Sequence, residues 1–375
     1  MLRAILSDDL PRSRWLAAAL VLVLVGLLVA PFLFPGAKSL NVAAKICVFI
    51  VLAASFDLLL GYTGIVSFAH TMFFGIGAYG VAIALSRLGA GWDSVVFGIV
   101  AGLVVAIVLA ALIGLFSLRV RTIFFAMITL AVASAFAILA SQLPALTGGE
   151  DGLNYRLPAA LRASFAPGDG TLFGVRLNGR LLDYYLVYFV SVALVLLLLR
   201  IVNSPFGSVL MAIRENPFRA EAIGYRTVVY RTIASCIAAA VAALAGALLA
   251  LWSSQTNPDT TLSFDIMVDI LLMVVIGGMG TIYGAVLGAV LLMFAQNYLQ
   301  DLLALANKAL VGVPLLANLF HPDRWLLWLG VAFVLCVYFF PTGIVGSLRN
   351  HALSSSSGPC ASRAPRKRAR RSRSG

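Results

Sequence analysis

The chain has 375 residues, of which 61% are hydrophobic and only 11% charged. Soluble domains carry roughly 25% charged residues, so the composition excludes a soluble globular protein and predicts an integral membrane protein. The formal charge of +12 is no footprint for nucleic acid, because Arg363, Arg366, Lys367, Arg368, Arg370, Arg371 and Arg373 crowd into the final segment.

Residues 1–14 carry Arg3, Arg12 and Arg14 against Asp8 and Asp9, a modest basic excess that assigns this end to the cytoplasm. No cleavable leader is needed to explain the first apolar run, since many more follow it. A transmembrane domain is predicted over 15–346. Its first span covers 15–34; Pro35, Gly36 and Lys38 turn the chain outside, and 40–60 returns. Lys45 lies near enough to the outer end to snorkel, whereas Asp57, near the inner end, needs water or a partner.

The stretch GYTGIVSFAHTMFFGIGAYG at 61–80 is too rich in glycine and polar residues for a plain apolar helix. Small residues allow close helix approach, and Gly61 and Gly64 allow a break that exposes backbone groups toward a translocation path. Gly64, Ser67, His70 and Thr71 are candidate path residues. With no second His or Cys close by, His70 reads more plainly as a packed or hydrogen-bonded residue than as a catalytic or metal-binding one. Cys47, Cys236, Cys336 and Cys360 likewise lack metal-ligand spacing, and no metal site is expected.

A fourth span covers 94–118, Arg119 and Arg121 mark an inner turn, and a fifth span covers 122–143. An external loop is predicted over 144–181. It opens with LTGGEDGL at 146–153, where glycines around Glu150 and Asp151 predict a tight turn with free N–H groups; Gly149 and Asp151 are its candidate path residues. Span six covers 182–199. A cytoplasmic loop is predicted over 203–230, within a basic stretch that sets Arg200, Arg214, Arg219, Arg226 and Arg231 against Glu215 and Glu221. Pro217 offers a helix start, and a short helix can end near Gly224. Held between two spans, such a helix can pass motion from a soluble partner to the membrane core, although an ordinary positive-inside loop has the same charge.

Span seven covers the alanine-rich 232–252, with 253–263 outside. The apolar run 264–276, which contains Asp265 and Asp269, rises only about 20 Å as a helix, short of a core about 30 Å thick. Gly277, Gly278 and Gly280 break the helix there, while Gly284 and Gly288 extend a G-x-x-x-G packing face into a span that ends near Leu299. Residues 304–324 read as interfacial and 325–340 as the last span, with Trp325 and Trp328 at the outer edge. The total is an all-α protein of about ten crossings, with both termini in the cytoplasm. The tail at 347–375 is too rich in Ser, Pro and Arg to build a core; it either reinforces topology or touches anionic membrane lipid.

No H-E-x-x-H, G-x-x-x-x-G-K-S/T or G-x-S-x-G occurs, so no catalytic residue is assigned and no ATPase motif is present. A solute path of small residues driven by a separate motor chain fits best. An ion-coupled secondary carrier and a membrane enzyme are the rival classes.

Four stretches, GYTGIVSFAHTMFFGIGAYG at 61–80, LTGGEDGL at 146–153, RENPFRAEAIGY at 214–225 and GGMGTIYGAVLGA at 277–289, together resemble the larger permease subunit of high-affinity branched-chain amino acid ABC transporters. The resemblance spans about residues 15 to 350 and leaves out the basic tail. It implies a type II ABC importer-like fold and a complex with a second related permease, two cytoplasmic ATP-binding subunits and a periplasmic or external substrate-binding protein, with no nucleic acid. It places ATP and Mg in the partner subunits, with no cofactor in this chain, and leucine-like amino acids as cargo; related permeases move urea, short amides or other amino acids. It makes the 203–230 loop the coupling loop, with Arg214, Glu215, Arg219, Glu221 and Gly224 as contacts toward the ATPases. The family's E-A-x-x-G core is matched by Glu221, Ala222 and Gly224 in shortened spacing, and Ala69 stands where a Gly commonly precedes the His.

Overall fold

The structure is a computed structural model that describes residues 14–33, 36–117, 122–162, 164–165, 171–172, 175–176, 178–309, 321–340 and 343–346. The N-terminal basic residues at 3 and 12, the turn at Arg119 and Arg121, Cys360 and the tail from 347 lie outside the described residues. Among the described residues, ten helical stretches are long and apolar enough to cross a bilayer.

Helices α1 (Arg14–Leu33) and α2 (Ala37–Asp57) come first, and α2 runs on as a π-helix over Leu58–Thr63. Then follow α3 (His70–Leu88), α4 (Trp92–Ser117) and α5 (Thr122–Gln142). A single turn, α6 (Pro144–Thr147), precedes α7 (Gly179–Val202). Two short helices, α8 (Pro205–Glu215) and α9 (Pro217–Ala222), separate α7 from α10 (Thr227–Ser253). The chain continues through α11 (Pro258–Thr261), α12 (Phe264–Gly277), α13 (Ile282–Ala309) and α14 (Trp325–Phe339). Two antiparallel ladders of two residues each join β1 (Leu153–Asn154) to β4 (Gln255–Thr256) and β2 (Thr171–Leu172) to β3 (Val175–Arg176).

The core forms around α2. From Val42 to Asp57 its residues are buried except Lys45, which is exposed as its long stem allows. A helix apolar on every side has no solvent face and belongs inside a bundle; α7, α10, α12 and α13 all pack against it. Close approach elsewhere depends on missing side chains. A Cβ on Gly77 of α3 would fall on the Ala243 backbone of α10, and one on Gly246 would fall on the Phe74 backbone. Such small-residue contacts drive association where water supplies no hydrophobic force.

Several boundaries move from their sequence-based positions. The third span begins at His70, because the helix of the second continues through Gly61 as a π-turn. Helix α10 begins at Thr227 rather than 232, its first turn tied back by Thr227 Oγ1, which donates to Glu221 Oε1 at 2.5 Å. The short run at 264–276 gains length from α11, so that Pro258–Gly277 forms the crossing. Its Asp269 accepts a 2.8 Å bond from Gln296 Nε2 of α13. Helix α13 itself runs past Leu299 to Ala309, and Asp301 meets Lys38 at 2.6 Å.

Helix α1 lies at the periphery. Tyr184, Tyr185 and Tyr188 of α7 donate to its carbonyls at Leu27, Leu28 and Leu24, at 2.5, 3.2 and 3.0 Å. Of the thiols described, Cys47 is buried, Cys236 and Cys336 are half-buried, and none is in a disulfide.

Candidate functional site

Residues 64–69 form no helix. Gly64 ends the π-helix in the left-handed region at φ +71°, a conformation natural to glycine. His70 meets Ser55, about two turns back along α2 from Thr63, so the chain climbs about 12 Å back into the bundle before α3 starts. Non-helical backbone at such depth is tolerated only where it is buried in protein or lines an aqueous cavity. The Phe68 N–H is satisfied by Thr129 Oγ1 of α5 at 3.1 Å. Among the described residues, the N–H groups of Val66 and Ser67 have no partner.

The sequence candidates in this stretch separate. His70 is fully buried, with Nε2 2.8 Å from Ser55 Oγ. Ser55 gives its own proton to the Leu52 carbonyl at 2.8 Å, so the ring nitrogen is the donor. Phe56 packs at 5.4 Å between ring centroids. His70 therefore anchors the start of α3 against α2. Thr71, one residue on, lines a cavity of about 540 Å³. Ser67 is buried and Gly64 exposed, and neither lines that cavity.

The cavity lies between the 64–69 break, α5 and the α11–α12 segment. Phe68, Leu130, Ala133 and Phe264 supply apolar wall, and the Phe68 and Phe264 rings stand 6.2 Å apart. Thr71, Ser134, Ser141 and Ser263 supply hydroxyls. Glu150, from the Gly-rich loop, and Asp259, from the first turn of α11, supply carboxylates, and both are exposed. Asp151 and Gly149 are not part of the lining: Asp151 points to solvent, and Gly149 is buried with its N–H 3.4 Å from Thr147 Oγ1. Sequence reasoning did not single out Asp259, Ser134 and Phe264; Ser134 is remote in the chain from the 259–264 segment. The β1–β4 ladder holds the two loops together. Tyr155 braces it, donating to the Ala250 carbonyl at 2.7 Å with Thr256 Oγ1 at 3.0 Å; burial pushes its phenol up to about 12, so it keeps its proton.

At the other end of the bundle, the backbone breaks near Gly64, Gly278–Gly280 and Gly343 converge. The fully buried Asp57 accepts a 2.9 Å bond from the Gly280 N–H, and Gly280 adopts φ +86°. Gly61 packs so closely there that a Cβ would overlap Asp57 Oδ1 and the Gly280 backbone. A Cβ on Gly343 would meet Gly278, and Gly277 packs on the Gly284 carbonyl, while Gly288 faces Met273. Into this junction reaches Arg214 of α8, whose guanidinium donates to the Gly61 carbonyl.

The remaining coupling candidates lie on the surface. Glu215, Arg219, Glu221 and Gly224 are exposed, with Glu221 engaged by Thr227 and the Arg219 N–H capped by Asn216 Oδ1 at 3.0 Å. The sequence singled out α9, but the longer amphipathic helix is α8, which buries Gly207, Leu210 and Ile213. Also unforeseen are Phe218 and Ile223, 82% and 70% exposed, which stand out on either side of α9.

A family model described as the branched-chain amino acid transport system permease component matches residues 39–319. The chain is 28% identical over 319 residues to the high-affinity branched-chain amino acid transport system permease protein LivM of Salmonella typhimurium, covering 80% of this chain and 74% of that protein. It is 27% identical over 319 residues to LivM of Escherichia coli K12, with the same coverage of 80% and 74%. To the probable LivM of Methanocaldococcus jannaschii it is 26% identical over 329 residues, covering 79% of this chain and 89% of that protein. No solved structure matches the chain.

Proposed function

The chain belongs to the permease component family of branched-chain amino acid transport systems, and we propose that it forms half of the path by which branched-chain amino acids cross the membrane. It is a multi-pass membrane permease of an ABC importer. The observation that carries the substrate reading is the cavity beside the 64–69 break. A branched aliphatic side chain suits Phe68, Leu130, Ala133 and Phe264; the charged ends of a zwitterion suit the hydroxyls of Thr71 and Ser134 and the carboxylates of Glu150 and Asp259.

The partners are a second, related permease that completes the path, two ATP-binding subunits that hold ATP and Mg²⁺, and an external binding protein that selects the cargo. The basic α8–α9 end faces the cytoplasm, as the positive-inside rule requires, and ten crossings then put both termini there. Phe218 and Ile223 dock on the ATP-binding subunits, with Glu215 and Arg219 as the charged rim. Urea and short amides are the alternative cargo within the family.

The test is purification from native membranes through a tag on this chain. Recovery of a second permease and two ATP-binding subunits, with a binding protein that takes leucine, isoleucine or valine over urea, supports the reading. A binding protein that prefers urea overturns the substrate, and recovery of this chain alone together with ion-gradient-driven uptake overturns the class.

A further inference from the structure

The junction around Asp57 joins four parts of the chain that are remote in sequence. Arg214 lies in the last turn of α8, and its guanidinium reaches the Gly61 carbonyl inside the π-helical end of α2. Its aliphatic stem passes Gly64, where an added Cβ would stand 3.2 Å from Arg214 Cγ. The same guanidinium flanks Gly280, where an added Cβ would stand 2.8 Å from its nitrogen. Gly280 is in turn held by Asp57 Oδ1 at 2.9 Å, and Asp57 Oδ2 is buried with no hydrogen-bond partner among the described residues. Arg214 and Asp57 thus meet at Gly280 from two sides, one flanking it and the other accepting its N–H. Because Arg214 holds Gly61 while packing on Gly280, and Gly61 packs on both Asp57 and Gly280, the position of Arg214 and the closure of the junction depend on each other.

Gly61 lies just before, and Gly64 opens, the non-helical stretch that carries Phe68 to the cavity and leads into the first turn of α3 with Thr71. A displacement of α8 is thus passed to the cavity wall through one side chain and a few residues of backbone. We propose that Arg214 is the positioning residue that couples α8 to the translocation path: while its guanidinium caps Gly61 and flanks Gly280, the segments at 57–64 and 277–280 are held together, and when the ATP-binding subunits move α8 the guanidinium withdraws and the segments separate. This role differs from a contact with the ATP-binding subunits: Arg214 is exposed, as Glu215 and Arg219 are, but its guanidinium is engaged by the Gly61 carbonyl.

The proposal rests on the transport reading, and the test keeps the two apart. The whole transporter is sealed in liposomes with its binding protein, and labelled leucine uptake and ATP hydrolysis are measured together. Absence of uptake by the unaltered complex overturns the transport reading. If the unaltered complex transports, Arg214→Ala is expected to assemble and hydrolyse ATP while uptake per ATP falls by about tenfold or more, within the range of allosteric couplings; Arg214→Lys, which keeps a cationic donor, retains most of it. An unchanged ratio in Arg214→Ala overturns the proposal. So does a proportional loss of hydrolysis and uptake in an assembled complex, which marks a docking contact. If Arg214→Ala does not assemble, Arg214→Met decides: it keeps the aliphatic stem beside Gly64 but removes the donor to the Gly61 carbonyl, so the ratio should fall, and an unchanged ratio overturns the proposal.

Discussion

Tyr184 donates its phenolic proton to the Leu27 carbonyl, which Pro31 deprives of its helical partner. Proline at position 31 has no N–H to return to the residue four places earlier, and in a bilayer no water takes its place. Tyr184→Phe should therefore lower the stability of the purified protein by roughly 0.6–1.7 kcal/mol, the range for hydrogen bonds between membrane helices. In a Pro31→Ala background the Leu27 carbonyl regains a backbone donor and the penalty should shrink. Thermal unfolding of the four proteins of this cycle measures it; an equal penalty in both backgrounds counts against the pairing.

Gly61 and Gly224 should respond in opposite ways to alanine. At Gly61 the new Cβ meets Asp57 Oδ1 and the Gly280 backbone, neither of which can move without opening the junction, so Gly61→Ala should abolish accumulation of folded protein. At Gly224 nothing lies within 4 Å and only the φ of +99° resists, so Gly224→Ala should cost about 1 kcal/mol. Yield and monodispersity on size-exclusion chromatography separate the two cases.

Thr71→Val preserves shape in the cavity wall and removes a hydroxyl. If cargo passes Thr71, the apparent KM for uptake should rise several-fold, as expected for one lost hydrogen bond of about 1 kcal/mol, with stability little changed. Glu150→Gln and Asp259→Asn should slow uptake most at low ionic strength, because both carboxylates are exposed and salt screens such charges. A salt-independent defect would assign them to a role in folding.

Tyr155 makes a prediction about alkaline pH. Its folded-state value is raised from 10.0 to about 12, so the folded protein holds a proton that the unfolded chain releases. The stabilisation is complete below pH 10 and declines as pH rises from about 10 toward 12. Tyr155→Phe should lose about 1 kcal/mol at pH 8 and fall less steeply above pH 10 than the unaltered protein. Parallel slopes in thermal unfolding across that range would sink the assignment.

The crossings were legible because hydropathy and glycine content act locally: the apolar runs became helices, and breaks opened at Gly64 and at Gly278, while Gly61 stayed within the π-helical end of α2. The cavity was not legible, because Phe68, Ser134, Glu150 and Asp259 come together only through packing. Asp151 and Glu150 are indistinguishable as letters; the direction of one turn decides which carboxylate enters the cavity. Arg214 reads in sequence as one more surface charge on an amphipathic stretch, and its inward turn follows from the gap that Gly61, Gly64 and Gly280 leave for it. His70, which by sequence read more plainly as a packed or hydrogen-bonded residue, meets Ser55 of the preceding helix through Nε2.

The non-helical stretch at 64–69 has an evolutionary corollary. Its amides at Val66 and Ser67, without a partner among the described residues, are main-chain groups, identical whatever side chains they carry. A polar surface built this way survives most point mutations, provided glycine remains at position 64. If cargo passes the cavity, substitutions at Phe68, Thr71 or Phe264 alter its wall while leaving these peptide groups unchanged. The feature that cannot mutate is thus the one that leaves the others free to vary.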